Sequence, residues 1–215
     1  MEQTIFSIYK NLIKEDDYHK VVDYLGDIGE LLLHSIITLK RDNKELILKP
    51  YWVEAYYRDY RHFVDVYAHD NDVLQKGDKN KPIHLYLHHR NPNCKIIGID
   101  LAIGDDEHIL LSYLLKVCVV NNNDNYLLQS DVAKQIFDFF EIDNYKDFKD
   151  KDYEINIKKD NREVYPHRYL RVLSNKAIKK DKEGLYYSAP LAIFNMTNSL
   201  FKEGLSPKTI YYRYK

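Results

Sequence analysis

The sequence predicts an α+β fold: N-terminal helices, a curved and mostly antiparallel sheet, and one helix set between strands. Three observations lead there. Near the N-terminus, Ile5, Ile8, Tyr9, Leu12 and Ile13 recur at the i, i+3, i+4 spacing of a helix. From Glu45 onward, short runs rich in β-branched and aromatic residues are separated by polar turn segments. From Leu127 to Phe140 helical spacing returns, at Val132, Ile136, Phe137, Phe139 and Phe140.

In chain order, residues 4 to 39 read as helical, with Asp16-Asp17 placed to cap a second segment that carries Val21, Val22, Tyr24 and Leu25. Gly26 and Gly29 are expected to break that segment. Leu31–Leu33 and Ile36-Ile37 then form an apolar run that ends a helix or opens the first strand. Asp42-Asn43-Lys44 is a turn signal leading by a hairpin into Glu45–Leu48. Strands are expected at Trp52–Tyr57, Ile83–His88, Lys95–Ile103 and His108–Val120, with polar loops at 70–82 and 121–125. Residues 143–163 are dense in charge and read as an exposed insertion, and strand-like material returns at Arg168–Leu173 and Leu185–Phe194. The whole is one domain of 215 residues: a helical segment at 1–27, a core at 28–195, and a basic, aromatic tail at 196–215.

Composition narrows the class. Hydrophobic residues make up 45% and charged residues 30%, an ordinary globular balance. No apolar run reaches membrane-spanning length, and the acidic-polar start Met1-Glu2-Gln3-Thr4 does not read as a signal peptide. Cys94 and Cys118 lack metal-type spacing and fit a reduced, cytoplasmic setting. The net charge of −1 hides an asymmetry: Tyr145–Lys215 holds 16 of the 32 Lys and Arg but only 9 of the 33 Asp and Glu. That excess permits a basic face, although a solvated charged surface explains it equally simply. With 7 glycines there is no Gly-rich phosphate loop, and no nucleophile elbow is present.

The richest window for chemistry runs from Trp52 to His69. Glu54 sits amid large apolar groups, where a carboxylate is costly to bury unless paired, and where burial would raise its pKa toward that of a general base. The alternative is that Glu54 simply faces solvent on an alternating strand. His62 and His69 flank Asp65, and His84, His88 and His89 follow, yet none of these has a recognised metal-ligand spacing. They read as groups that satisfy polar neighbours or touch a ligand directly. Asp100 and Lys116 each place a charge within a long apolar run. They either pair with each other or line a pocket together.

The order of these segments resembles the alkyladenine (3-methyladenine, methylpurine) DNA glycosylase family. Val53-Glu54-Ala55-Tyr56 resembles that family's Glu-Ala-Tyr strand, and Leu85-Tyr86-Leu87-His88 its Leu-Tyr-Val-Tyr strand. Gly98-Ile99-Asp100-Leu101 stands where the family carries a pocket Asn, and Leu110–Val119 resembles its Val-Leu-Leu-Arg-Ala strand with Lys116 in place of Arg. Weaker similarity continues through Leu128–Ile142, Arg168–Leu173 and Tyr187–Leu191, so that it covers roughly residues 28 to 195. The chain departs from the family at His88, Asp100 and Lys116, in the spacing of its histidines, and at Arg90–Asn93, where the family has a wedging Tyr loop.

The resemblance implies base excision repair by a monofunctional glycosylase: hydrolysis of the N-glycosidic bond of a flipped, alkylated purine, with no metal and no organic cofactor. It implies that Glu54 deprotonates the attacking water, with His62 or His69 sharing proton work. Tyr56 and His88 would then sandwich the base, beside Tyr86, with Asp100 and Lys116 shaping the pocket. The implied partner is double-stranded DNA with a damaged base. Two other readings stand beside this one. The first is a non-catalytic module on the same scaffold that holds a free nucleotide or small molecule, or that acts as a phage or host interaction protein. The second is a metal-dependent hydrolase built on the histidines.

Overall fold

The computed structural model describes residues 1–68, 77–89, 96–121, 123, 125–141, 153–171, 181 and 184–196, with 87–89, 96, 97 and 187 given by backbone alone. Two helices open the chain, α1 (Glu2–Leu12) and α2 (Tyr18–Leu33). Helix α1 buries Ile5, Tyr9 and Leu12, one stripe at helical spacing. Asp17 caps α2 through its side chain, accepting from the backbone N–H of His19 at 2.9 Å and Lys20 at 3.1 Å.

Gly26 and Gly29 do not break α2, contrary to the expectation from helix propensity. They flatten its surface for two partners. A side chain on Gly29 would meet Ile193 Cδ1 at 2.7 Å, and one on Gly26 would meet the Arg168 guanidinium carbon at 2.3 Å. Arg168 lies across that bare turn and donates to Glu30 at 2.8 Å and to Asp27 at 2.6 Å. Tertiary packing therefore overrides the local cost of two glycines.

The sheet is antiparallel throughout its described pairings and curls into a half-barrel, as an α+β fold with N-terminal helices requires. Its main path runs β4-β5-β6-β2-β1-β8. The hairpin of β1 (Ser35–Arg41) and β2 (Lys44–Asp59) turns at Asp42-Asn43, where Asp42 adopts φ +52°, a conformation that Asp and Asn tolerate. β3 (Phe63–Val64) is a short return onto β2. β4 (Ile83–His89), β5 (Ile96–Ile103) and β6 (Leu110–Val120) follow as expected. β7 (Tyr126–Leu128) takes the start of the anticipated helix, leaving α3 (Gln129–Phe140) behind it.

Part of the charged segment is not an insertion. Glu154–Lys159 forms β8 and pairs with β1 along the sheet's edge, burying Ile157 while its Glu and Lys side chains stay in water. Residues 142–152 lie outside the described residues, as do 197–215, which hold nearly all of the basic tail. β9 (Pro166–Tyr169) and β10 (Ala192–Asn195) close the structure, with one helical turn, α4 (Leu185–Ser188), where a strand was expected. Among the described residues, no helix is long and apolar enough to cross a membrane.

Strand β2 is where the sheet forks. Its first half pairs with β1 and its second half, at Trp52–Glu54, pairs with β10, while β6 runs along the other side. At the fork the β2–β6 register shifts twice, between Pro50 and Trp52 and between Trp52 and Val53. The main core takes Leu46 and Leu48 before the shift, then Val53, Ala55 and Tyr57 after it. On β6 it takes Leu111, Tyr113 and Leu115, then Cys118 and Val120. Core parity thus reverses on both strands at the same level, which is what an extra residue in each strand does. Tyr51, Trp52 and Val117 swing to the opposite face and pack with Phe194 in a second apolar cluster. Pro50, which has no N–H to give a ladder, sits where the ladder is already interrupted.

Arg162 closes the fork. One guanidinium nitrogen donates to the carbonyls of Leu33, Ser35 (3.2 Å) and Pro50 (2.7 Å), and the guanidinium carbon lies 4.6 Å from the Tyr51 ring centre. The free sheet edges are covered in the same spirit. Glu2 accepts the outward N–H of Ile157 at 2.6 Å, and Tyr153 accepts that of Leu85 at 3.1 Å.

The packing of α2 on β10 yields a direct test. Gly29→Ala gains about 1 kcal/mol of helix propensity but forces a methyl group into Ile193, an overpacking that costs about 1–3 kcal/mol. The urea midpoint is expected to fall. A midpoint that rises would contradict this account of the glycine.

Candidate active site

The parity reversal decides which side chains share the face turned away from the main core. After the bulge, Glu54 and Tyr56 lie opposite Val53, Ala55 and Tyr57, which belong to that core. Cross-strand registers place Tyr86 beside Asp100, Asp100 beside Leu114, Leu114 beside Glu54, Glu54 beside Ala192, and Ala192 beside Tyr169. One row crosses six strands. Two steps of about 4.8 Å each separate the Glu54 and Asp100 backbones, so the two carboxylates face the same side roughly 10 Å apart at their roots.

Glu54 is 1% exposed. The Tyr56 hydroxyl donates to Glu54 Oε2 at 3.2 Å, and Lys116 Nζ lies 3.5 Å from the same oxygen. Lys116 reaches this face because it sits at the bulge, between Leu115 on the core side and Val117 in the second cluster. Its side chain is 12% exposed. Lys116 and Asp100 were alternatives for a mutual pair, but the amine is directed to Glu54. Asp100 Oδ2 instead accepts from Ser112 Oγ at 2.7 Å, and Ser112 stands opposite Tyr56 in the register.

Behind Tyr56 lies a second charged pair. Asp65 and Arg171 are both fully buried, with two hydrogen bonds of 2.6 and 3.1 Å between them. Arg171 also donates to the carbonyls of Ala55 (3.1 Å) and Tyr186 (2.9 Å). Its guanidinium carbon lies 5.0 Å from the ring centres of both Tyr56 and Tyr67. Burial pushes the Arg171 pKa down, but the Asp65 charge more than offsets this and the net direction is up. Burial drives the Tyr56 hydroxyl well above its ordinary value, reinforced by Glu54 and opposed by Arg171. Tyr56 is therefore a hydrogen-bond donor at neutral pH and not a phenolate. Cys118, pushed by burial up to about 12, is no nucleophile.

Of the eight residues picked from the sequence, Glu54, Tyr56, Tyr86, Asp100 and Lys116 come together on one face. His62 does not join them. It follows β2 by three residues, and its Nε2 lies 3.1 Å from Asp16 in the connection between α1 and α2. At about 3.3 Å per residue, the end of β2 at Asp59 is already roughly 16 Å from Glu54. Asp59 anchors that turn: burial raises its pKa, but hydrogen bonds from Arg61 win and hold it below the ordinary 3.8. His69 lies outside the described residues, and for His88 only the backbone, opposite Gly98, is described. Among the described residues, no three His, Cys, Asp or Glu side chains converge as metal ligands would.

Ser112 and Arg171 were not singled out by spacing, and Asp65 stood out only as the acid between His62 and His69. Ser112 was findable, since alternation along β6 puts it on the face of Leu114. Arg171 was not, because its partner lies 106 positions away.

Removing Arg171 leaves Asp65 as an unpaired buried charge, at a cost of about 3–5 kcal/mol. Arg171→Met is expected to lower stability by that amount in urea unfolding. Adding Asp65→Asn to it should recover part of the loss, because the two residues act as one unit. Strictly additive effects would contradict the pair.

Comparison of the chain with protein-family models and with curated proteins found no match in either.

Proposed function

We propose that this chain is a DNA glycosylase-like hydrolase, and that Glu54 deprotonates the water that displaces an alkylated purine from its sugar. The observation that carries the reading is the placement of Glu54: a buried carboxylate on the non-core face, hydrogen-bonded by Tyr56 and flanked by Lys116. A carboxylate held this way is fixed in position, which a general base requires. Bond changes balance simply. Water oxygen bonds to C1′ and gives its proton to Glu54. The cationic alkylated base leaves with the glycosidic electron pair and becomes neutral.

The surroundings suit a flat, electron-poor ring. Tyr86 and Tyr56 supply aromatic surface on the same face, and Asp100 adds negative charge across the row from Glu54. Next to Glu54 along β10 and β9, Phe194 packs against Trp52, His167 and Tyr169, and Tyr169 is 48% exposed. Such a patch suits the stacking of unpaired bases, at about 1–3 kcal/mol per base.

A non-catalytic module that holds a free nucleotide is the second reading. It is favoured by one observation: Glu54 Oε2 already serves both Tyr56 and Lys116. Base release from an alkylated duplex separates the two. Wild type is expected to release base, with Glu54→Gln slower by about 10²–10⁴-fold. Duplex binding is expected to weaken steeply with salt. No release from wild type, or equal release from both proteins, would sink the catalytic reading. Salt-insensitive binding of a mononucleotide would then establish the module.

A further inference from the structure

The half-barrel leaves a seam between its two outermost strands. Five antiparallel pairings lead from β4 to β8 along the sheet, so these edges run antiparallel to each other, yet among the described residues they do not pair. Side chains cap them instead: the Tyr153 hydroxyl accepts the Leu85 N–H at 3.1 Å, and Glu2 accepts the Ile157 N–H at 2.6 Å. Both caps line a cavity of about 340 Å³, with Ile83 on one wall and Ile155 on the other. That volume falls within the range of ligand sites, about 300–1,000 Å³. In an antiparallel ladder, alternate residues turn N–H and C=O away from the partner strand. Leu85 and Ile157 do so, and therefore Ile83 and Ile155, two residues away on each strand, do the same. Both walls thus present backbone donors and acceptors to the cavity. Charge is divided along it. Lys81 Nζ lies 5.2 Å from the centre of the Tyr153 ring, whereas the Glu2 carboxylate stands at the Ile157 end. Phe6 and Pro82 add apolar surface, and Glu154 borders the cavity with its side chain in water.

We propose that this seam binds a free dipeptide with apolar side chains, held extended between β4 and β8. The ligand's ammonium meets Glu2 and its carboxylate meets Lys81. Its one peptide group pairs with the outward backbone of Ile83 and Ile155, as an added strand would. Length follows from the caps. Tyr153 and Ile157 each lie two residues from Ile155, roughly 7 Å along an extended chain. That leaves room for one peptide group with its two termini and not for a continuing strand. Recognition falls on the termini, because charge-assisted hydrogen bonds are about twice as strong as neutral ones. Phe6 and Pro82 give the ligand side chains an apolar surface without selecting among them. None of these residues belongs to the row that carries Glu54, so the inference stands whatever that face does.

Titration calorimetry on the full chain tests this with leucyl-leucine, with its N-acetyl form, which lacks the ammonium, and with its amide, which lacks the carboxylate. Leucyl-leucine is expected to bind saturably, and each blocked form about ten-fold more weakly. Glu2→Gln keeps a carbonyl for the Ile157 N–H but removes the charge. It is expected to lose about ten-fold for leucyl-leucine, whereas the N-acetyl form binds variant and wild type equally. Lys81→Met keeps the apolar stem and is expected to show the same pattern with the amide. A purely structural role for either residue would not match each variant to one blocked terminus. If circular dichroism shows that a variant does not fold, the three ligands on wild type still decide. No saturable binding of leucyl-leucine by wild type overturns the proposal. So does a blocked form that binds wild type as tightly as leucyl-leucine, or a folded variant that weakens all three ligands alike.

Discussion

The structure turns on the paired irregularity where β2 and β6 pass the fork. One extra residue in each strand, at Tyr51 and at Lys116, reverses which face their side chains take. If the alternation set by Leu46 and Leu48 had continued, Glu54 and Tyr56 would point into the packed core beneath α2. A single-residue slip moves an entire strand's side chains to the wrong face, so the bulge is the condition for a site of any kind. It also explains Arg162. A sheet that divides leaves carbonyls without ladder partners, and a guanidinium shared among Leu33, Ser35 and Pro50 satisfies them. Burial lowers the pKa of Arg162, the direction expected for a cation held for its hydrogen bonds inside the protein.

Charge is placed on this scaffold in two tiers. Asp65 and Arg171 are sealed, each oxygen of the carboxylate met by a guanidinium nitrogen, and they brace Tyr56 from behind. Glu54 and Lys116 are looser, at 3.5 Å, and Lys116 keeps some exposure. A tight buried pair fixes geometry, because removing either partner strands the other charge inside the protein. Tyr56 connects the tiers, since its ring faces Arg171 and its hydroxyl donates to Glu54.

Much of the fold was legible because local signals agreed with tertiary structure. Asp42-Asn43 made its hairpin, Asp17 capped α2, and the strand runs from Ile83 to Val120 fell nearly where alternation placed them. The site was legible in part for a related reason: charges at Glu54, Asp100 and Lys116 within apolar runs must be answered by other polar groups. The failures share a cause as well. Gly26 and Gly29 look like breaks until Arg168 and Ile193 are seen against them. In Glu154–Lys159 the charge hid a period-two pattern, Ile155 and Ile157, that marks an edge strand. His62 resembled a site residue by proximity along the chain, yet the turn after β2 carries it to Asp16. Tyr51-Trp52-Val53 reads as one continuous apolar run, so the reversal within it is invisible without the partner strand.

The central claim is that the bulge brings Glu54 and Lys116 together on one buried face. A double-mutant cycle in urea with Glu54→Gln, Lys116→Met and the double variant measures this directly. Contacting charges at this depth predict a coupling energy of about 1–3 kcal/mol, with the double variant losing less than the sum of the singles. Additivity within about 0.5 kcal/mol would mean that the two side chains do not meet, and would contradict the account.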